Sequence, residues 1–268
     1  MSKVLVSKVP FDKITLEEAA NKAVEFAKGS VQKQICTPNP EMILEARKNP
    51  KFLEILKKSA LNIPDGIGIL WAAKYLKITE KNHSKIVKAA KWLGTLATIP
   101  FYSKYIKTEL PERVTGVDLM QEICKKAAKE NLKFFLLGAQ EGVAERTKEI
   151  LQKKYPSLKI TETHAGSPHL KDEKEILNLI NKSEAQILFV AFGAPQQEIW
   201  ISRNLKHLKS VKVAIGVGGS FDFIAGIRKR APKLLQKLGL EWLYRLVQEP
   251  KRIKRIYNAT IKFPFKIF

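Results

Sequence analysis

The chain has 268 residues, 45% hydrophobic and 28% charged, which excludes a disordered segment and is enough to bury a full-sized core as one large domain, with or without an appendage. Forty-eight Lys and Arg against 26 Asp and Glu leave a formal net charge of +22. That excess implies a polyanionic partner: nucleic acid, an anionic membrane surface or a phosphorylated substrate.

The first residues, "MSKVLVSKVPFDKITLEEAA", pass straight into strand and helix patterns without a signal-peptide profile. No run of 18 apolar residues follows anywhere, so no bilayer-spanning helix is expected. The two cysteines, Cys36 and Cys124, have neither disulfide-framework nor metal spacing and suit a reducing, cytoplasmic compartment. "VQKQICT" (31–37) reads as a buried strand, and "PEMILEARKNPKFLEILKKS" behind it reads as helical. In "NIPDGIGIL" (62–70) Asp65 is the one acid. It suits a helix N-cap for "IGILWAAKYL" or a chemical role, and local pattern alone leaves both open.

Residues 81–107 break the rhythm, with six lysines and no acid around the uncharged stretch 92–103. That stretch is too short to span a bilayer, and its Trp92, Phe101 and Tyr102 suit an interface. Four strand-like runs then alternate with helical segments: "LKFFLLG" (132–138), "LKITETHAG" (158–166), "QILFVAFGAP" (186–195) and "VKVAIGVGGSF" (211–221). Continuous apolar strands separated by helices predict an α/β fold, a Rossmann-like parallel sheet covered on both faces, over residues 1–225. Ligands in such sheets bind outside the carboxyl ends of the strands, where the loops "TPNP", "GAQEG", "HAGS", "GAPQQE" and "GVGGSFD" are expected to gather. Residues 226–268 form a basic helical appendage. From Arg228 onward twelve Lys/Arg face only Glu241 and Glu249. Leu240, Leu243, Tyr244 and Val247 make an apolar helical stripe there, and "IKFPFKIF" interleaves bases with aromatics. This tail is expected to touch a membrane surface.

Walker A, G-x-G-x-x-G and C-x-x-C motifs are all missing. His83, His164, His169 and His207 have no metal-ligand spacing. No Asp-x-Asp pair is present to hold a divalent ion, so no metal and no cofactor are expected, and arginines with loop N–H groups must neutralise any leaving diphosphate. "GVGGSFD" follows an apolar strand as a phosphate or nucleotide loop would. Gly218 and Gly219 allow close backbone approach, while Ser220 and Asp222 remain to contact a ribose or base. Gln197 in "GAPQQE", and Thr37 and Asn39 in "TPNPE", lie at further strand ends, where a polar side chain is either a ligand contact or a turn residue.

Taken together, "TPNPEMILEA", "IPDGIGILWAAKYL", "ERVTGVDLM", "FFLLGAQEGVAERT", "VAFGAPQQEIWI" and "GVGGSFDFIAGIRKRAPKLLQKLGLEWLYRLVQEPKR" closely resemble the WecG/TagA/CpsF glycosyltransferases, and most of all their TagA branch. The likeness covers residues 1–257 apart from 81–107. It implies an inverting, metal-independent transfer of N-acetylmannosamine from its UDP donor to the C4 hydroxyl of N-acetylglucosamine on undecaprenyl diphosphate, which makes the linkage disaccharide of wall teichoic acid. By this resemblance Asp65 is the general base. Thr37 and Asn39 line the sugar pocket, Arg113 faces the donor diphosphate, Gln197 orients sugar hydroxyls and Asp222 meets the nucleoside. Arg245, Arg252 and Arg255 belong to a C-terminal lid that docks on the inner face of the membrane.

Two departures qualify the likeness. The 81–107 stretch reads as an insertion, expected to be a second membrane contact. "HAGS" lacks the aromatic that relatives often carry after the glycine, so stacking on uracil from that loop is not expected. Within the family another donor, such as UDP-linked N-acetylmannosaminuronic acid or glucose, stays open, as does a homo-oligomer. A nucleic-acid-binding module would instead spread arginines along one groove among stacking aromatics. A nicotinamide oxidoreductase would need the absent glycine fingerprint.

Overall fold

The computed structural model describes residues 2–81, 83–99 and 103–268. Strands β1 (Lys3–Val6) and β2 (Val9–Asp12) form an antiparallel hairpin, turned by Ser7 and Lys8, both at positive φ. Helix α1 (Leu16–Lys28) starts with a reciprocal capping box between Thr15 and Glu18, which satisfies two otherwise orphaned donors. Strand β3 (Lys33–Cys36) leads into α2 (Pro40–Ala46) and α3 (Pro50–Lys58). The sequence suggested a single helix here. It breaks because Pro50 cannot donate to the preceding turn and Asn49 caps Phe52 N–H instead.

Next come β4 (Leu61–Asn62), α4 (Ile67–Ile78), α5 (Lys85–Ala97) and α6 (Ser103–Ile106). Helix α7 (Gly116–Ala127) opens the second half, followed by β5 (Lys133–Gly138), α8 (Val143–Lys154), β6 (Lys159–His164) and α9 (Leu170–Ser183). Strand β7 (Ile187–Ala191), α10 (Gln196–Asn204), β8 (Val213–Gly216) and the short α11 (Ser220–Ile224) complete it. The chain ends in α12 (Lys233–Lys237), α13 (Glu241–Gln248), α14 (Ile253–Tyr257) and α15 (Phe263–Ile267), the last two joined by a π-helical turn over Asn258–Lys262.

Six strands make one parallel sheet in the order β4-β3-β8-β7-β5-β6. Alternate residues of β5, β7 and β8 enter two different cores. Phe134, Leu136, Ile187, Phe189, Val213 and Ile215 pack with α1, α7 and α8, while Phe135, Leu137, Leu188, Val190 and Ala214 pack with α9 and α10. Burial on both faces is why these strands read as unbroken apolar runs. At the β4 edge the hairpin covers the sheet, and buried Asp12 accepts Asn62 N–H at 2.8 Å, which satisfies an edge donor. A third core joins the hairpin to α2, α3 and α4, and it includes Phe263 and Ile267 of α15. The C-terminal helix is therefore pinned into the body of the protein by a fully buried phenylalanine.

Strands β5 and β7 approach closely at Gly138. Gly138 has φ +103, and a Cβ there would stand 2.8 Å from the carbonyl carbon of Ala191. Gly138→Ala is expected to push β5 off β7 and cost about 1–3 kcal/mol or more. A drop in the urea midpoint at unchanged slope measures this, and an unchanged midpoint refutes the close-approach argument.

Candidate active site

The loops after β3, β4, β7 and β8 and helices α13 and α14 enclose one cavity of about 490 Å³. It opens at the carboxyl edge of the sheet, where β3, β8 and β7 lie side by side. Every catalytic or substrate-binding candidate from the sequence lines it, from Thr37 and Asn39 to Arg252 and Arg255. The loop His164–Ser167 does not. Its strand, β6, is the far edge of the sheet, which places that loop away from the centre. Of the loop after β5, Ala139 alone reaches the cavity. The aromatic lining is Phe192, Phe223 and Trp242.

Backbone bonds stitch the floor together. Ile63 N–H donates to Cys36 O at 2.9 Å, Asp65 N–H to Pro38 O at 3.1 Å, and Val114 N–H to Pro64 O at 2.9 Å. The segment bearing Asp65 is thus held to the loop after β3 and to the stretch before α7. Asp65 is not the helix cap that local pattern allowed. Gly66 occupies that position at φ 113 and no side chain caps α4, which leaves the Asp65 carboxylate half-buried and facing the cavity. Burial pushes its pKa up to about 6. Arg113 and Arg245 pull the value down, while Glu241 and Asp118 add to the rise.

Five arginines line the same cavity: Arg113, Arg228, Arg245, Arg252 and Arg255. Four are held by acids. Arg113 reaches Glu241 at 3.1 Å, Arg228 reaches Asp222 at 3.3 Å and Glu249 at 3.6 Å, Arg252 reaches Glu249 at 2.9 Å, and Arg255 reaches Glu41 at 2.9 Å. These pairs tie α13 and α14 across the cavity to the loops below. Arg245 differs. Its guanidinium lies 5.1 Å over the Phe223 ring, its Nε has no hydrogen-bond partner among the described residues, and burial lowers its pKa. An incompletely satisfied guanidinium aimed into a cavity is suited to an anion.

Gln197 is the clamp between two strand-end loops. Its Oε1 accepts Gly193 N–H at 3.1 Å and Gly218 N–H at 3.0 Å, and its Nε2 donates to Glu198 at 2.7 Å. One Nε2 hydrogen is left for a ligand. The Gly218 N–H, expected from sequence to meet an anion, is taken by Gln197, and Ser220 Oγ donates inward to Val217 O at 2.5 Å.

Sequence reading missed Arg228, Glu198, Glu241 and Trp242. Arg228, Glu241 and Trp242 sit inside the long C-terminal motif, so the signal was present without a geometry to rank them. Glu198 is fully buried, and its Oε2 has no partner among the described residues.

A model described as the Glycosyl transferase WecG/TagA/CpsF family matches residues 4–98 and 87–268, so the chain is a glycosyltransferase. It belongs to the WecG/TagA/CpsF family. The two matched stretches overlap over residues 87–98, within the 81–107 segment. Among relatives, the N-acetylglucosaminyldiphosphoundecaprenol N-acetyl-beta-D-mannosaminyltransferases of Staphylococcus aureus strains MRSA252 and MW2 are each 33% identical over 268 residues, 99% of this chain and 92% of theirs. The protein of that name from strain NCTC 8325 / PS 47 gives the same figures.

Burial raises the Glu198 pKa from 4.5 to about 7. The protonated form is favoured in the fold, so stability present below the ordinary carboxyl value is lost as pH rises through about 7, on the order of 3 kcal/mol. Glu198→Gln keeps an acceptor for Gln197 Nε2 and removes that loss. Between about pH 5 and pH 8 the wild-type Tm is expected to fall by at least about 5 °C relative to the variant. Parallel melting curves across that range refute the assignment.

Proposed function

We propose that the enzyme transfers N-acetylmannosamine from UDP-N-acetylmannosamine to the C4 hydroxyl of N-acetylglucosamine on undecaprenyl diphosphate. The transfer inverts the anomeric centre, needs no metal and makes the β-1,4 linkage disaccharide of wall teichoic acid. The observation that carries this reading is Asp65, a cavity-facing carboxylate with a pKa near 6 inside a ring of arginines. The names of the 33% identical relatives supply the acceptor and the sugar.

In the displacement, the acceptor oxygen forms the new bond to the anomeric carbon as the bond from that carbon to the donor diphosphate breaks. The hydroxyl proton passes to Asp65. A carboxylate with a pKa of about 6 is mostly ionised at neutral pH, yet more basic than an ordinary aspartate. The leaving UDP gains negative charge, which Arg245, helped by Arg252 and Arg255, meets without rearranging solvent. Thr37, Asn39 and the remaining Gln197 N–H face the transferred sugar, Arg113 the diphosphate, and Asp222 the nucleoside.

Residues 226–268 serve as the lid and bring the protein to the inner face of the membrane, where a polyprenyl-linked acceptor resides. Among the described residues no helix is long and apolar enough to cross a membrane, and this association is peripheral. Exposed Val247, Ile253 and Tyr257 beside Lys251 and Lys254 support it.

UDP release from UDP-N-acetylmannosamine and a lipid-diphosphate N-acetylglucosamine acceptor, in excess chelator, tests the reading. Asp65→Asn is expected to lower kcat/KM at least about a hundredfold. The wild-type kcat/KM is expected to rise with pH through about 6, as the base loses its proton. A variant that keeps its rate removes Asp65 as the base, and turnover abolished by chelator removes the metal-free mechanism. Turnover with a different UDP-sugar alone overturns the donor.

A further inference from the structure

Helix α5 has a face that the cavity does not use. Its inner side is anchored to α4: Trp71 Nε1 donates to Thr95 Oγ1 at 2.9 Å, and the Trp71 and Trp92 rings meet edge to face at 6.4 Å. On the opposite side Ile86, Ala90, Leu93 and Ala97 recur at i, i+4, i+7 and i+11, one stripe of a helix, and all four are exposed. Ile86 is 82% and Leu93 63% exposed, with Val87 beside them at 40%. A surface helix ordinarily turns its polar side to water. This one turns its aliphatic side outward, next to Lys81 and Lys85, in a segment of 27 residues (81–107) without a single Asp or Glu.

The inner side of α5 also meets the C-terminal helices, which carry an apolar stripe of their own. Trp92 Nε1 donates to Pro264 O at 3.0 Å, and its ring lies 5.0 Å from Phe265 and 6.2 Å from Phe268. Along the C-terminal helical run, Ile253, Tyr257, Ile261 and Phe265 repeat every four residues and are 58%, 55%, 46% and 63% exposed. Lys251, Lys254, Lys262 and Lys266 accompany them, and no acid follows Glu249. Trp92, on the inner side of α5, thus ties this helix to the C-terminal run that carries the second apolar stripe.

We infer that α5 is a second membrane-docking element, lying in the interface of an anionic bilayer with Ile86, Val87 and Leu93 among the acyl chains and the exposed Lys81 and Lys85 at the headgroups. This rests on the peripheral association proposed above and adds the surface that the C-terminal run shares. Lipid fits this face better than a second copy of the chain. Two copies meeting here would set lysine against lysine, with no carboxylate in either segment to neutralise them, whereas anionic headgroups do so directly. The aliphatic stripe supplies the buried area that charge alone does not.

Co-sedimentation of the full chain with vesicles of phosphatidylcholine, with and without about one-third phosphatidylglycerol, tests this. Wild type is expected to bind the anionic vesicles preferentially. The double variant Ile86→Glu/Leu93→Glu changes two exposed positions and is expected to partition at least about tenfold more weakly. Its UDP release with a short-chain, water-soluble acceptor is expected to stay unchanged. A second variant, Ile253→Glu/Ile261→Glu, tests the C-terminal stripe. If it loses binding while the α5 variant keeps it, the α5 inference falls and peripheral association stands. If wild type ignores both vesicle types, both fall. If the α5 variant changes only the oligomeric state seen by light scattering, the face is a self-interface and the inference is overturned.

Discussion

Crowding cations around one carboxylate is the constraint on which this structure turns. As the proposed base, Asp65 would have to stay ionised enough to take a proton, yet it sits in a cavity that makes ionisation costly, and its pKa near 6 is the compromise. Arg113 and Arg245 lower that value, and the arginines that line the cavity repel one another, as the effect of Arg245 and Arg255 on Arg252 makes plain. They are kept in place by acids drawn from distant parts of the chain: Glu41 after β3, Asp222 after β8, and Glu241 and Glu249 in the C-terminal segment. The cavity and the C-terminal helices are thus one electrostatic assembly, although more than a hundred residues separate Arg113 from Glu241.

The sheet supplies the rigid part of that assembly. Loops after β3, β7 and β8 converge because those strands are neighbours in the sheet while far apart in sequence. Gln197 joins two of them through a single amide oxygen. Beneath it Glu198 accepts from the nitrogen of the same amide, which turns the amide oxygen toward both loops. The buried acid therefore acts on the cavity through its neighbour rather than by touching anything in it.

The architecture was legible where physics acts locally. The central strands are buried on both faces, so their apolar runs announced a parallel sheet, and the strand-end rule then pointed to the loops that line the cavity. Three features were not legible for equally physical reasons. The hairpin turn uses Ser7 and Lys8 in place of glycine or asparagine. Strand β4 is two residues long, too short for a periodic signal. The break at Asn49–Pro50 had its signal in plain view but was outweighed by the helical pattern around it. For the site, family motifs led to the residues now found on the cavity, but not to their mutual arrangement. That Gly218 N–H is already engaged, that Arg228 bridges Asp222 and Glu249, and that Glu198 lies buried beneath the cavity are facts of three dimensions. For 81–107 the lysines and aromatics pointed to a membrane contact, but the outward aliphatic stripe of α5 was not visible, because a helical pattern does not say which side a neighbour covers, and Trp92 turns inward onto Trp71.

The internal ion pairs of the arginine ring carry one more consequence. In the proposed reaction, a diphosphate arriving there would exchange with Glu41, Glu241 and Glu249 rather than with loosely held water, so part of its attraction would be offset by the carboxylates it displaces. The same carboxylates stand ready to reclaim the arginines as the nucleotide departs. Such built-in competition weakens retention of the spent nucleotide as much as capture of the fresh one. A ring of this kind favours rapid exchange over tight storage, and it does so through glutamates that never touch the sugar.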